Sequence, residues 1–184
     1  MDSKTLFRVL VIAGLVVGIA AVTTMSRQDS APRLISVKPA AKRTPMPAFS
    51  WPSMSGHKWS MSEHKGKIVL VNFWATWCGP CRVETPDLVR VYEKYKGRGV
   101  TIAAVSMDED PAKVVPRFVE RYRMEYPVLV PAPDSPITEA IQSLPTSFLV
   151  DTQGRVARTW VGMLHEEELI MNIDELLAEG AGPT

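Results

Sequence analysis

The stretch Ile68-Val-Leu-Val-Asn-Phe-Trp74, continuing as Ala75-Thr-Trp-Cys-Gly-Pro-Cys81, decides how the rest of the chain is read. Six of its first seven residues are large and apolar, several of them β-branched or aromatic. That composition predicts a strand buried on both faces of a sheet. From Pro80 to about Lys96 the pattern turns helical, and Gly97 and Gly99 end it. Cys78 therefore closes a buried strand and opens a helix. There its thiolate is favoured by unpaired backbone N–H groups and the positive end of the helix dipole. Cys81 lies one turn on, within reach of Cys78. Pro80 is tolerated because a first-turn residue has no intrahelical acceptor for its N–H.

These are the chain's two cysteines. Two thiols do not complete a four-ligand zinc site, and no paired histidines stand near to supply the remainder, so no metal site is expected. A disulfide over so short a loop removes little unfolded-state entropy and explains the pair poorly as a staple. A reactive couple that attacks disulfides as a thiolate explains it better, and it needs no cofactor.

Working outward, strand and helix patterns alternate. Phe49–Trp51 and Lys58–Ser60 flank Ser55-Gly56 as a short hairpin. Thr101–Ser106 is a second buried strand. Asp108-Glu-Asp-Pro111 starts a helix whose apolar face carries Val114, Val115, Phe118, Val119 and Tyr122. A short strand at 127–130 and a short helix at 137–143 follow. Ser147–Val150 and Arg155–Val161 flank the turn Asp151-Thr-Gln-Gly154, and a helix over 166–179 closes the chain. The order predicts an α/β domain with a mixed central sheet flanked by helices.

Ahead of this domain, Val9–Val22 is an uninterrupted apolar run preceded by Lys4 and Arg8. Residues 1–25 are read as a signal anchor, a single transmembrane helix, in preference to a cleaved signal peptide. Residues 26–47, rich in Pro, Ser and basic side chains, are read as a flexible tether to a domain at 48–184. Residues 1–47 hold seven Lys/Arg against two Asp/Glu, while the remaining 137 hold 14 against 18. The domain is thus mildly acidic, with no basic patch of the kind nucleic acid requires. Arg27, Arg33, Lys38, Lys42 and Arg43 outnumber Lys4 and Arg8, which on flanking charge alone favours the cytoplasmic side. Folded domains, however, translocate largely regardless of charge.

Phe73-Trp-Ala-Thr-Trp-Cys-Gly-Pro-Cys81 resembles the active-site segment of the thioredoxin superfamily. The leading hairpin, the helix–strand insertion near 111–130 and Pro145 ahead of Ser147–Asp151 resemble its TlpA/ResA-like branch of membrane-anchored thiol–disulfide oxidoreductases. The resemblance implies a thioredoxin-like fold, with Cys78 as exposed nucleophile and Cys81 as buried resolving thiol. Leu144-Pro145-Thr146 would be a cis-proline loop where substrate backbone docks, beside Trp77, Gly79 and Pro80. Glu84, on the same helix face as Cys81, matches an acid that modulates cysteine protonation. Asn72 stands where cytosolic thioredoxins have a buried Asp, which leaves Glu84 as the proton-handling group.

By the same resemblance the chain is a reductase of extracytoplasmic protein disulfides, of the cytochrome c maturation or copper-site assembly type. It would draw electrons from a thiol-reducing donor in the membrane and face the periplasm from a bacterial inner membrane. Two alternatives stand beside this. A copper-delivery or docking module on the same fold wants a wider cysteine spacing and a His ligand. A thiol peroxidase wants Thr and Pro three and seven residues before its reactive Cys, where this chain has Ala75 and Val71.

Overall fold

The structure, a computed structural model, describes residues 36–181. The apolar run expected to be a membrane anchor and the first part of the expected tether lie outside these residues. Among the described residues no helix is long and apolar enough to cross a membrane.

Strands β1 (Thr44–Pro45), β4 (Ile68–Trp74), β5 (Val100–Ser106), β6 (Val128–Leu129), β7 (Thr146–Val150) and β8 (Arg155–Val161) form one sheet. Its order is β1-β8-β7-β4-β5-β6. β4, β5 and β6 run parallel, β7 is antiparallel to β4, and β8 is antiparallel to β7. The central pair β4 and β5 is buried at every position, as the unbroken apolar runs require. Helices α1 (Gly79–Tyr95), α2 (Pro111–Tyr122) and α4 (Glu166–Ala181) supply one core. There Leu88, Val91, Tyr95, Val115, Phe118, Leu169 and Ile173 meet Ile68, Leu70, Trp74 and Ile102. Alternation along β4 sends Val69, Val71 and Phe73 to the other face. That second core is closed by the hairpin β2 (Ser50–Pro52) and β3 (Lys58–Ser60) through Phe49, Trp51 and Trp59. Trp51 is paired with Trp59, and Phe49 stacks on both rings. The fold is thioredoxin-like, with α2 and β6 as the expected helix–strand insertion between β5 and β7.

Three local expectations need correction. The helix expected at 137–143 is one turn only, α3 (Pro136–Glu139), because residues 141–144 turn into the loop ahead of β7. The strand expected at 127–130 is the two-residue β6.

The third correction is the tether boundary. Residues 36–47 are part of the fold: Thr44 and Pro45 pair with Val156 and Arg155, and Val37, Arg43 and Met46 are buried. The Arg43 guanidinium donates to both Glu179 carboxylate oxygens at 2.7 Å, to Asp151 at 3.2 Å and, through Nε, to the Lys38 carbonyl at 2.8 Å. A buried Arg is stable only with such partners. They raise its pKa, the Glu179 hydrogen bonds most. The composition that reads as an extended basic linker is in fact a strap across the β7–β8 hairpin and α4.

Candidate active site

Cys78 and Cys81 form a disulfide at the N-terminus of α1. Cys78 is the N-cap of the helix, and its Sγ accepts a hydrogen bond from the Cys81 backbone N–H at 3.3 Å. The strand-to-helix junction read from the sequence is therefore present, with Sγ against the first turn's unpaired amides. Cys78 is 5 % exposed and Cys81 is 0 %. Both are buried in the disulfide form, so Cys78 does not present the exposed sulfur that the resemblance implies, although it borders the cleft described next.

The other expected site residues come to the same end of the sheet. Trp77 is 68 % exposed, and Gly79 and Pro80 are exposed beside it. With Cys78, Met107 and residues 141–144 they line a cleft of about 440 Å³. Leu144 forms part of its wall. The Leu144–Pro145 peptide bond is cis, and Pro145 and Thr146 are buried as the chain enters β7. The Pro145 carbonyl accepts a hydrogen bond from Gly162 N–H at 2.8 Å. Gly162 has φ +101°, a conformation strained for other residues, so the loop after β8 is fitted to support the cis-proline loop.

Glu84 lies one turn beyond Cys81 on α1 and is 1 % exposed. Its Oε1 accepts from Asn72 Nδ2 and its Oε2 from Leu164 N–H, both at 2.9 Å. Asn72 Nδ2 also donates to Ser147 Oγ at 2.9 Å. The strand pattern explains this cluster. Asn72 shares the helix-facing parity of Ile68, Leu70 and Trp74, and Ser147 is its register partner on β7. Burial pushes the Glu84 carboxyl up to about 7, with the Leu164 and Asn72 hydrogen bonds working the other way. A group poised there gives and takes a proton near neutrality. The same charge, added to burial, holds the Tyr126 hydroxyl well above the ordinary phenol range.

Sequence reasoning misses the support of the turn before Cys78. Asp108 Oδ1 accepts from Thr76 Oγ1 at 2.6 Å. Both its oxygens approach Thr76 N–H, at 3.1 and 3.2 Å, and Oδ2 accepts from Ser106 Oγ at 2.9 Å. It also misses Met107 and residues 141–143 as cleft walls. The available signal is topological: in parallel neighbours, the residues following β4 and β5 emerge at one edge, so Thr76 and Asp108 adjoin across 32 positions.

Residues 43–159 match the model of the AhpC/TSA family. The thiol-disulfide oxidoreductase ResA of Geobacillus kaustophilus (strain HTA426) is 34 % identical over 131 residues, which cover 71 % of this chain and 75 % of that protein. ResA of Bacillus anthracis is 39 % identical over 124 residues, covering 67 % and 71 %. Among solved structures, a thioredoxin-family thiol:disulfide interchange protein from Chlorobium tepidum TLS matches with a TM-score of 0.67. It is 32 % identical, over 76 % of this chain and 99 % of that one. With the couple capping α1 and the sheet order in place, these likenesses identify the chain as a member of the AhpC/TSA family, a ResA-like thiol–disulfide oxidoreductase of thioredoxin-like fold.

Proposed function

We propose that the chain reduces disulfides of extracytoplasmic proteins, with Cys78 as the attacking thiol, Cys81 as the resolving thiol and Glu84 as the proton carrier. The observation that carries the reading is a Cys78–Cys81 couple at a helix N-terminus, with Cys78 bordering the cleft and a buried carboxyl one turn beyond Cys81. In the reduced protein the Cys78 thiolate attacks one sulfur of a substrate disulfide. A Cys78–substrate mixed disulfide forms, and the first substrate thiolate leaves. Cys81 gives its proton to Glu84 and attacks Cys78 Sγ, which breaks the mixed disulfide and releases the second substrate thiolate. One departing thiolate takes the proton carried by Glu84 and the other takes a proton from water, so the substrate gains two electrons and two protons, and the protein is left as the disulfide seen here. Trp77, Gly79, Pro80 and Leu144 dock the substrate backbone along the cleft, and the buried Pro145 and Thr146 shape the docking loop behind Leu144.

Return to the dithiol takes two electrons, and we assign these to a thiol-reducing donor in the membrane. In the same reading residues 1–25 anchor the chain in a bacterial inner membrane in a single pass, residues 26–35 are the tether, and the domain faces the periplasm. The substrate class is that of cytochrome c maturation or copper-site assembly. The peroxidase alternative is disfavoured by Ala75 and Val71 at the positions where it needs Thr and Pro, so the AhpC/TSA match supports scaffold rather than peroxidase chemistry.

The test is trapping. Cys81→Ser accumulates a mixed disulfide through Cys78 with a disulfide-bonded substrate such as insulin, and Cys78→Ser does not. Trapping through Cys81 instead would reverse the assignment. For topology, a Cys introduced at residue 30 is labelled by a membrane-impermeant maleimide in intact spheroplasts. Labelling only after lysis would place the domain inside.

A further inference from the structure

Asp108 is placed where the sequence suggests an ordinary helix start, yet its carboxylate serves another element. Helix α2 begins at Pro111 with Asp110 as N-cap, and the Asp110 side chain makes no capping hydrogen bond. Asp108 turns back instead to the end of β4. There it takes the hydroxyl and backbone N–H of Thr76 and the hydroxyl of Ser106. The Ser106 hydroxyl in turn accepts from the Asp108 N–H at 3.3 Å, which holds the carboxylate over its own backbone. One residue earlier, Met107 N–H donates to the Trp74 carbonyl at 2.8 Å. Thr76 and Trp77 are the two central residues of the turn that carries Cys78, closed by Cys78 N–H to the Ala75 carbonyl at 3.2 Å.

The two residues that follow β5 therefore hold the chain at the end of β4 through Trp74 and the turn itself through Thr76, independently of helix α1. The Met107-Asp108 pair that grips it also supplies a wall of the cleft through Met107. A backbone amide in a turn has no partner within strand or helix, so the carboxylate decides how that amide is directed.

We infer that Asp108 is a positioning residue of the exchange reaction: by clamping Thr76 it fixes the turn that sets Cys78 Sγ on the helix N-terminus and Trp77 over the cleft. The inference rests on Cys78 being the attacking thiol. Its contribution is geometric, so an uncharged side chain that still accepts from Thr76 serves nearly as well. Asn meets that condition through its carbonyl oxygen, whereas Ala does not. Thr76→Val removes one donor and keeps the backbone N–H, so it falls between them.

The experiment compares the wild-type full-length chain in detergent micelles with Asp108→Ala, Asp108→Asn and Thr76→Val. Two readouts are followed on the reduced proteins: the rate of reaction with oxidised glutathione, and the pH profile of iodoacetamide alkylation with the labelled cysteine located by mass spectrometry. Thermal unfolding of the oxidised forms is recorded beside them. Asp108→Ala is expected to slow Cys78 about tenfold or more and move its alkylation profile to higher pH, since a small displacement of a reacting group is costly. Asp108→Asn stays within about threefold of wild type, the rescue that a geometric role demands.

Equal Cys78 rates and profiles in wild type and Asp108→Ala would overturn the clamp while leaving the proposed function intact. So would an Asp108→Asn as impaired as Asp108→Ala, or an impairment of Asp108→Ala that only tracks its unfolding temperature. Primary labelling at Cys81 in the wild type would overturn the Cys78 assignment, and the clamp with it.

Discussion

Replacing Glu84 by Gln separates the charge of the buried carboxyl from its shape. In the disulfide form burial moves this group from 4.5 to about 7, against the opposing hydrogen bonds from Leu164 and Asn72. That difference corresponds to roughly 3 kcal/mol between ionised and neutral folded states. The sign follows from which state binds the proton. Below about pH 4.5 the carboxyl is neutral in both folded and unfolded chains, and its contribution to stability is complete. As pH rises toward 7 the unfolded chain ionises first, so folding takes up a proton and stability declines. Above about 7 both states are charged, and the full roughly 3 kcal/mol has been lost. The amide introduced by Glu84→Gln does not ionise and keeps one carbonyl oxygen. It can therefore hold Asn72 or Leu164, not both in their present places, and an unpaired buried donor costs about 1–3 kcal/mol.

Urea unfolding of the oxidised proteins from pH 5 to pH 8 tests this. Glu84→Gln should be less stable than wild type at pH 5 by about that hydrogen-bond cost, and the gap should close or invert by pH 8. His165, whose charge works against the rise at Glu84, is common to both chains. A gap independent of pH across this range would refute the reasoning, because it would mean that Glu84 is either exposed to water when folded or already ionised at pH 5.

Four further outcomes follow. In single-turnover exchange, the wild-type resolving step should show an inflection near pH 7 that is absent in Glu84→Gln; an unchanged profile would remove Glu84 from proton transfer. Arg43→Met should destabilise the fold by about 2 kcal/mol. This is below the 3–5 kcal/mol of a fully buried pair, because Asp151 keeps Arg155 at 2.7 Å and Glu179 is 42 % exposed. An unchanged unfolding temperature would contradict the strap. For the same reason a chain beginning at Thr44 should unfold more readily than one beginning at Ser36, which equal urea midpoints would disprove. Burial pushes the Asp151 carboxyl up, but hydrogen bonds from Arg155, Arg43 and Gln153 N–H outweigh it and hold the group below its ordinary range. Stability from Asp151 is therefore present above about pH 4 and lost as pH falls through the lowered value, so Asp151→Asn should flatten acid unfolding there.

What the sequence discloses is whatever lies in one continuous signal. Ile68–Trp74 is found as a strand with the bounds expected, because its apolar run has no competing period. Cys78, Cys81 and Glu84 are related by helical spacing alone, so their shared face is legible at once. Residues 36–47 read wrongly as linker because their role depends on partners far along the chain. Arg43 lies 108 positions from Asp151 and 136 from Glu179, and one of several basic residues among prolines carries no local sign of burial. The Asp108 clamp is hidden for a related reason. Acids ahead of a proline already have an explanation as a helix start, and the parallel register that returns Asp108 to Thr76 exists only once the sheet is formed. Asn72 stands out in the sequence as a departure from Asp, but its use as a donor to Glu84 requires the alternation of β4 to be set against α1.

The direction in which the Cys78–Cys81 couple runs is the central claim, and its reduction potential tests that most directly. The chain is equilibrated in thiol buffers of graded potential, quenched by alkylation and scored by mass for the reduced and oxidised pair. A value near or below about −230 mV, where thioredoxin and the more reducing glutaredoxins lie, is the result predicted for a reductase fed by a membrane donor. A value above about −180 mV would place the couple with isomerases and oxidants and contradict the proposed direction.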